Sequence, residues 1–132
     1  MKPPSKQPAI RMMMMPKDTN AVGSIFGGVI MSLIDQAAFV EASRQAPRKF
    51  VTIAMDKVEF RKSVRQGTIL RFLVEQSKRG RTSLQYSVYV YLGDINEYDK
   101  LIFSTTVTLV HVDKEGRKEP LPPRKSGKLD SG

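Results

Sequence analysis

The 132-residue sequence contains no cysteine and only one histidine, His111. The chain therefore cannot form a disulfide, attack a substrate with a thiol or bind a metal ion through thiolates. One histidine is also too few for a cluster of histidine ligands. No apolar run approaches the roughly 20 residues that a membrane-spanning helix needs, and the apolar run near the N-terminus is too short and broken for a secretory signal. We expect a cytoplasmic protein.

Acidic residues are scarce, with 13 Asp and Glu against 22 Lys and Arg, so the formal net charge is +9. An excess of this size favours a polyanionic partner such as nucleic acid, a membrane surface or a phosphorylated cofactor. Part of the excess lies near the N-terminus, and other parts lie at Arg61–Arg65 and Lys78–Arg81. The two internal clusters are therefore the candidate anion-binding segments.

Length and composition are those of one domain. About 40% of the residues are apolar, which supplies one core but leaves little room for a deep substrate cavity in a domain this small. A site shared between subunits is therefore expected. We predict a flexible N-terminus at residues 1–8, a folded domain at residues 9–112, and a basic, disordered tail at residues 113–132, where both charge signs mix with prolines.

One segment has the periodicity of a helix. From Gly28 to about Arg44, apolar pairs recur every four residues, at Val29–Ile30, Leu33–Ile34 and Ala37–Ala38. Because the members of each pair are adjacent, the apolar arc is wide. A wide arc predicts a helix buried in the core and not one lying on the surface.

The rest of the domain alternates between apolar and polar residues, as β-strands do. Alternating runs occupy residues 9–15, 51–60, 70–74, 84–92 and 101–109, with a slip of phase near Asp56-Lys57 that predicts a bulge. Short glycine turns connect several of these runs and favour antiparallel neighbours. The predicted fold is α+β, with a curved antiparallel sheet wrapped around one long central helix. Its long edge strands invite pairing with a second subunit.

The predicted helix opens with Gly27-Gly28. The first four N–H groups of a helix have no internal partner and lie at the positive end of its dipole. Glycine lets a ligand oxygen come close to them. The alternative is a tight turn that packs the helix against the sheet.

Asp35 falls beside the apolar arc, on the same side of the helix as Met31 and Phe39. A carboxylate in such surroundings costs free energy unless it is paired or functional. The sequence alone therefore leaves two readings open, a structural ion pair with Lys57 or Arg61 and a role in chemistry.

These residues belong to a longer pattern, Pro16-x-Asp18-Thr19-Asn20-x-x-Gly23-x-Ile25-Phe26-Gly27-Gly28-x-x-Met31-Ser32-x-x-Asp35. The pattern closely resembles the opening of the hotdog-fold acyl-CoA thioesterases of the bacterial YciA type. It is also similar to the mammalian cytosolic brain-type acyl-CoA hydrolase, which fuses two such domains. Weaker matches at Phe60-Arg61, Gly67 and Lys78–Ser83 extend the resemblance over roughly residues 9–112.

The resemblance implies a hotdog fold, paired into dimers that associate as a trimer of dimers. It implies hydrolysis of acyl-CoA to CoA and a free fatty acid, with no metal or other cofactor. The active site is expected at the dimer interface, where Asp35 of one subunit is the general base and Asn20 of the other orients the water or the thioester. The N–H of Gly28 is the expected oxyanion donor, with Gly27 beside it in the substrate site.

CoA carries a pyrophosphate and a 3′-phosphate, and the hairpin around Gly80 offers cations, hydroxyls and turn N–H groups to bind them. The residues concerned are Lys78, Arg79, Arg81, Thr82 and Ser83. The alternative is a hairpin of solvated charges. Arg61 belongs to a second basic group, where relatives have a Phe-x-x-Pro-Val pattern and this chain has Ser63 in place of the proline.

Three other functions compete with hydrolysis. A hotdog dehydratase needs a histidine beside the central helix, whereas His111 lies near the end of the last predicted strand, where a structural or surface role is expected. A non-catalytic acyl-CoA-binding regulator does not need both Asp35 and Asn20. A nucleic-acid binder would explain the charge, but the sequence has no recognised nucleic-acid motif. We therefore predict an acyl-CoA hydrolase with neither nucleic acid nor membrane as a partner.

Overall fold

The computed structural model describes residues 10–25, 27–46, 49–93 and 100–123. The predicted flexible residues 1–8 and the end of the predicted tail, 124–132, lie outside the described residues. Along the chain the elements are β1 (Ile10–Met13), a 3-10 turn (Pro16–Asp18), α1 (Gly27–Ser43), β2 (Lys49–Phe60), β3 (Ile69–Arg79), β4 (Ser83–Leu92) and β5 (Leu101–Val112).

The five strands form one antiparallel sheet in the order β1-β3-β4-β5-β2. α1 packs across one face of this sheet and contacts β2, β3, β4 and β5. The predicted α+β architecture of one long helix and an antiparallel sheet is confirmed. Within the described residues, β1 and β2 are the edge strands, and each pairs with a neighbour on one side only.

α1 begins and ends one residue earlier than predicted. Of the residues that the four-residue repeat selected, all but the partly buried Val29 are buried, together with a later alanine: Ile30, Leu33, Ile34, Ala37, Ala38 and Ala42. The small alanines let the helix lie close to the sheet, where large buried strand residues fill the space. No helix in the described part of the chain is long and apolar enough to cross a membrane.

The register of the sheet shifts twice along β2. One shift lies between Asp56 and Glu59, where Lys57 has a φ of 55°, and it confirms the predicted bulge. A left-handed φ is uncommon for residues other than glycine. The second shift, between Thr52 and Ala54, has no counterpart in the sequence pattern.

Residues 113–123 do not form the disordered tail that their prolines and mixed charges predicted. Asp113 accepts hydrogen bonds from two following backbone N–H groups, both at 2.9 Å, which closes a turn. The chain then returns beside the end of β5, where Lys118 is bridged to Val112. Leu121 packs against the core. The returning segment is ordered because its backbone groups find partners on the sheet, which composition does not reveal.

The ends of α1 define the two ends of the domain. At the first, which we call the α1 N-end, Phe60 at the end of β2 lies against Gly27. At the second, the α1 C-end, Gln45 hydrogen-bonds to Gln76 of β3 and to the hydroxyl of Tyr86 of β4. Because the strands are antiparallel, β2 ends and β3 begins at the α1 N-end.

A hydrogen-bonded group at the α1 C-end joins the helix, the sheet and the returning segment. The guanidinium of Arg79 donates to Oε1 of Gln45 at 3.0 Å and to the carbonyl oxygen of Pro122. Gln45 in turn donates to the Tyr86 hydroxyl at 3.1 Å. Burial of the phenol raises the pKa of Tyr86 to about 12, and the negative charge of the nearby Glu41 carboxylate acts in the same direction. The hydroxyl therefore keeps its proton at neutral pH.

We expect Arg79→Ala to lower the free energy of unfolding by about 1–3 kcal/mol, because it leaves partly buried acceptors without their donor. The exposed neighbour Arg81 makes no such side-chain contact within the described residues, and Arg81→Ala should change stability by less than about 0.5 kcal/mol. Urea unfolding of the two variants checks the difference. Equal losses in both would show that the Arg79 contacts do not hold the returning segment.

Candidate active site

The first residues of α1 form an open donor site at the α1 N-end. A Cβ on Gly27 would lie 2.9 Å from Cζ of Phe60, and that ring is packed edge-on against Phe103 with ring centres 4.4 Å apart. A methyl group at this position would therefore require the Phe60 ring to shift. Gly28 is exposed, and its N–H is one of the four that have no acceptor within the helix and lie at the positive end of its dipole.

Asp35 lies in the middle of α1 and is partly exposed. Its Oδ1 accepts a hydrogen bond from the hydroxyl of Thr52 on β2. Its Oδ2 makes no hydrogen bond within the described residues. Neither ion pair that the sequence left open, with Lys57 or with Arg61, forms within the described residues, and Arg61 pairs with Glu59 at 3.2 Å. One carboxylate oxygen is thus fixed by a hydrogen bond, and the other is available to a ligand.

Asn20 lies in the loop between the 3-10 turn and α1, and it is exposed. Its side-chain oxygen accepts hydrogen bonds from the N–H groups of Val22 at 3.0 Å and Ser24 at 3.1 Å. Two N–H donors at this atom identify it as Oδ1. The Nδ2 group makes no hydrogen bond in the described part of the chain. The loop therefore uses the acceptor of the amide and leaves its donors for a ligand or a neighbouring molecule.

Within one chain these groups do not converge on a single point. Gly28 and Asp35 are seven residues apart on one helix, which at 1.5 Å per residue is about 10 Å along the axis. Asn20 precedes the helix and belongs to the α1 N-end as well. A base and an oxyanion donor must each lie roughly 3 Å from the group they act on. Within one chain, therefore, Gly28 and Asp35 cannot act on the same reacting group.

The hairpin predicted to bind phosphates lies at the α1 C-end, far from Gly28 of the same chain. Lys78 and Arg81 are exposed, and Thr82 and Ser83 are partly buried where β4 begins. The guanidinium of Arg79 contacts Gln45 and Pro122 as described above. The structure therefore gives Arg79 a structural contact and leaves Lys78 and Arg81 as the solvent-facing cations.

Arg61 lies at the other end of the domain, in the loop that follows β2. This loop is paired with the Asn20 loop through a bridge between Ser24 and Arg65. Ser63, at the position where relatives have proline, is exposed in the same loop. The second basic group thus adjoins the Asn20 loop, and the two groups of predicted phosphate ligands are separated by the length of α1.

His111 is buried on β5 at the α1 C-end. Its Nδ1 lies 3.1 Å and 3.2 Å from the carbonyl oxygens of Glu119 and Pro120, so Nδ1 carries the proton. These contacts hold the returning segment and agree with the structural role predicted for this histidine. The described ranges contain no group of three or more His, Cys, Asp or Glu side chains that could hold a metal ion.

A family model described as the thioesterase superfamily matches residues 22–98, more than half of the chain. The chain belongs to the thioesterase superfamily. The acyl-CoA thioester hydrolase YciA of Salmonella typhimurium is 32% identical to this thioesterase over 90% of this chain and 92% of its own length. The resemblance to hydrolases of the YciA type is confirmed.

Solved thioesterase structures share the fold. The hexameric hotdog-fold thioesterase of Campylobacter jejuni matches with a TM-score of 0.79 and 34% identity, over 96% of this chain and 95% of that one. The acyl-CoA hydrolase of Staphylococcus aureus, solved with butyryl coenzyme A and coenzyme A, matches with a TM-score of 0.75 and 27% identity, over 92% of this chain and 76% of that one. Variants of that hydrolase with alanine in place of an asparagine, a threonine or an aspartate have also been solved. The predicted hotdog fold is confirmed.

Sequence reasoning on this thioesterase missed Thr52. Threonine is an ordinary strand residue, and nothing in the local pattern of β2 distinguishes it. Its contact with Asp35 depends on where the strand crosses the helix and on the register shift beside it.

Gly27→Ala should destabilise this thioesterase because the added methyl group meets the Phe60 ring. In a Phe60→Ala background the same change should be close to neutral. We expect a coupling free energy of about 0.5–1.5 kcal/mol in a double-mutant cycle, within the usual range for residues in contact. Urea unfolding of the four proteins measures it. A coupling free energy of zero would show that the added methyl group and the Phe60 ring do not interact.

Proposed function

We propose that this chain hydrolyses acyl-CoA thioesters by metal-free attack of water, in a site completed by a second copy of the chain. One observation carries the proposal. Asp35, held by Thr52 on a partly exposed face, is two helical turns from the N–H of Gly28, so base and oxyanion donor can meet only across two copies. The alternative of a non-catalytic acyl-CoA-binding protein leaves this arrangement without a use.

The solved variants support the assignment of residues. In the Staphylococcus aureus hydrolase, the asparagine, aspartate and threonine that were changed to alanine have the same separations along the chain as Asn20, Asp35 and Thr52 have here. The three residues therefore correspond as a set. Thr52 is the positioning residue of this set, because it reaches the reaction through Asp35.

In the proposed mechanism a water molecule donates a hydrogen bond to Oδ2 of Asp35. The carboxylate removes its proton as the oxygen attacks the thioester carbon. The carbonyl oxygen takes up negative charge and accepts a hydrogen bond from the N–H of Gly28. When the tetrahedral intermediate collapses, the C–S bond breaks and the proton on Asp35 passes to the departing thiolate of CoA. A positioned base contributes about 10²–10⁴-fold to such a rate, and one oxyanion donor about 10²–10³-fold.

Asn20 acts as a donor in this mechanism. Its Oδ1 is used by the loop, so only the Nδ2 hydrogens can face the substrate. They can donate to the thioester carbonyl or to the oxygen of the attacking water. The same-chain Asp35 is too far along the helix, so Asn20 joins Gly28 of its own copy and Asp35 of the other.

The edge strand β2 is the proposed contact between the two copies. It pairs only with β5 on its inner side, and it exposes Val51 to 48% and Ile53 to 59%. Apolar residues on an unpaired edge are stabilised when a second strand covers them. An edge that pairs with itself gives an isologous two-fold dimer. Three such dimers would form the predicted trimer of dimers, and the matching Campylobacter jejuni thioesterase is hexameric.

CoA phosphates are assigned to both basic groups. Lys78, Arg81 and the Thr82 and Ser83 hydroxyls form the hairpin contribution, with Arg79 supporting the hairpin from behind. Arg61 contributes from the loop beside Asn20, and Gly27 borders the thioester. In a composite site the hairpin and the Arg61 loop come from different copies. The proposed location of the protein is the cytoplasm.

Asp35→Ala should lower kcat for acyl-CoA hydrolysis by at least about 100-fold while leaving the fold intact, because the general base is lost. Thr52→Val keeps the shape of the side chain but removes the hydroxyl, and should lower kcat about 10-fold through loss of one hydrogen bond to a charged group. Release of free thiol from acetyl-CoA measures both.

Thr106→Val is the matched control, since this threonine lies on β5 and faces away from α1. It should leave turnover unchanged. Retention of more than about a tenth of wild-type turnover by Asp35→Ala would exclude Asp35 as the general base.

Two inactive variants should restore each other if the site is composite. Asn20→Asp keeps the acceptor that holds the loop but removes the donor, so it should fold and be inactive. When it is dissociated and reassociated with Asp35→Ala, half of the dimers contain one intact site of two. About a quarter of wild-type activity should return, by the counting for a two-fold interface. Subunit exchange confirmed by mass spectrometry without any return of activity would place both residues in one chain.

A further inference from the structure

The hydrogen bond between Asp35 and Thr52 separates two apolar regions beside it. β2 pairs with β5 so that Thr52 lies opposite Leu109 and Met55 lies opposite Val107. Leu109 and Val107 are both buried in the core beneath α1. Thr52 and Met55 therefore face the helix together, with the register shift between them. The strand carries an inward side chain on each side of the bond to Asp35.

Two methionines lie on the side toward the α1 N-end. Met31 is one helical turn before Asp35 and Met55 is the next inward residue after Thr52. Both are partly buried and pack against the main core. Their unbranched side chains retain accessible surface and can change rotamer without disturbing the backbone. We call this pair the methionine side of the site.

Two phenylalanines lie on the side toward the α1 C-end. Phe39 is one turn after Asp35 and is 41% exposed. Its ring meets that of Phe50 edge-on, with the ring centres 6.2 Å apart. We call this pair the phenylalanine side. Both sides are apolar, so the residues that flank Asp35 do not by themselves decide where an acyl chain lies.

The two-fold symmetry of the composite site determines on which side of Asp35 the acyl chain lies. This step rests on the proposed function, in which Gly28 of one copy faces Asp35 of the other. In an isologous contact the reverse pair forms as well, so the axis passes α1 midway between Gly28 and Asp35, beside Met31 and Ser32. The methionine side therefore ends at the middle of the dimer. The phenylalanine side leads outward, along the Asn20 loop of the second copy.

We propose that the acyl chain occupies the methionine side, between Met31 and Met55, and that the pantetheine arm leaves past Phe39. The positions of the basic groups agree with this direction. The hairpin Lys78–Ser83 lies at the α1 C-end of its own chain. The Arg61 loop of the second copy adjoins that copy's Asn20 loop, which falls at the same outer end. The phosphates thus reach both basic groups, and the acyl chain points to the apolar centre.

The surface beside the two methionines determines which acyl groups can bind. Asp35 lies about 5 Å along the helix from the two-fold axis of the proposed dimer. The surface between them is formed by the two methionines and by core residues. Linear apolar acyl groups fit such a surface because methionine adapts to their length. An acyl group that ends in a carboxylate would lose its hydration without gaining a partner. Met31 and Met55 are therefore the residues that determine acyl specificity.

The first test uses the unmodified protein, with each of its seven methionines labelled at the methyl carbon and assigned by NMR. A non-hydrolysable octyl thioether of CoA should shift the methyl signals of Met31 and Met55. The ethyl thioether should shift them much less. The exposed Met12 and Met13 of β1 serve as internal controls and should not respond to either ligand. Octyl-dependent shifts confined to other methionines, or absent altogether while the ligand binds, would overturn the inference.

The second test compares kcat/KM for octanoyl-CoA and acetyl-CoA. Met55→Trp and Met31→Phe should each lower the octanoyl-to-acetyl ratio about 10-fold, since an apolar pocket that loses space for a few methylene groups discriminates by this order. Met13→Ala, a matched change on β1, should leave the ratio unchanged. Phe39→Ala should affect both substrates alike, because the pantetheine arm is common to them.

The outcomes separate this inference from the proposed function. Hydrolysis of acetyl-CoA by the unmodified protein reports on the proposed function alone. If that activity is present but Phe39→Ala changes the chain-length ratio and the methionine variants do not, the acyl chain runs the other way and the inference is wrong. If the unmodified protein hydrolyses no acyl-CoA, the proposed function fails and the inference fails with it.

Discussion

Two turns of α-helix separate the N–H of Gly28 from the carboxylate of Asp35, and the organisation of the site depends on that spacing. The rise of a helix is fixed by its backbone hydrogen bonds and cannot be compressed to bring the two groups together. In the proposed mechanism each chain therefore offers a donor to one site and a base to another. A shared site of this kind also lets a small domain act on a large substrate, since the cavity need not lie inside one core.

The hydrogen bond from Thr52 gives the carboxylate a fixed orientation before any substrate arrives. Asn20 is fixed in a similar way, because the two N–H groups of its own loop hold its Oδ1. In both cases one polar atom of the side chain is hydrogen-bonded within the domain, and the other makes no hydrogen bond within the described residues. Groups held in this manner need little rearrangement when charge develops, which is where such sites gain most of their rate.

Local patterns in the sequence predicted the helix, the strands and the bulge at Lys57 because each depends on residues close together in the chain. The glycines, Asp35 and Asn20 were predicted as site residues through the family resemblance of one continuous motif. Thr52 and the contacts of Arg79 were not. Thr52 reaches Asp35 across a strand crossing, and Arg79 reaches Pro122 across 43 residues of sequence. The order of residues 113–123 was missed for the same reason, since its partners lie on β5 and at Arg81.

The two open edges of the sheet differ in their capacity for uncontrolled polymerisation. Within the described residues β1 offers the four residues Ile10–Met13, too short a template for adding strands from other chains. β2 is long, but its two register shifts leave a regular backbone in only part of its length. A strand interrupted in this way can accept one symmetric partner over its regular part and is a poor seed for a continuing fibre. The bulges thus limit further strand addition at the edge that is proposed to pair with a second copy.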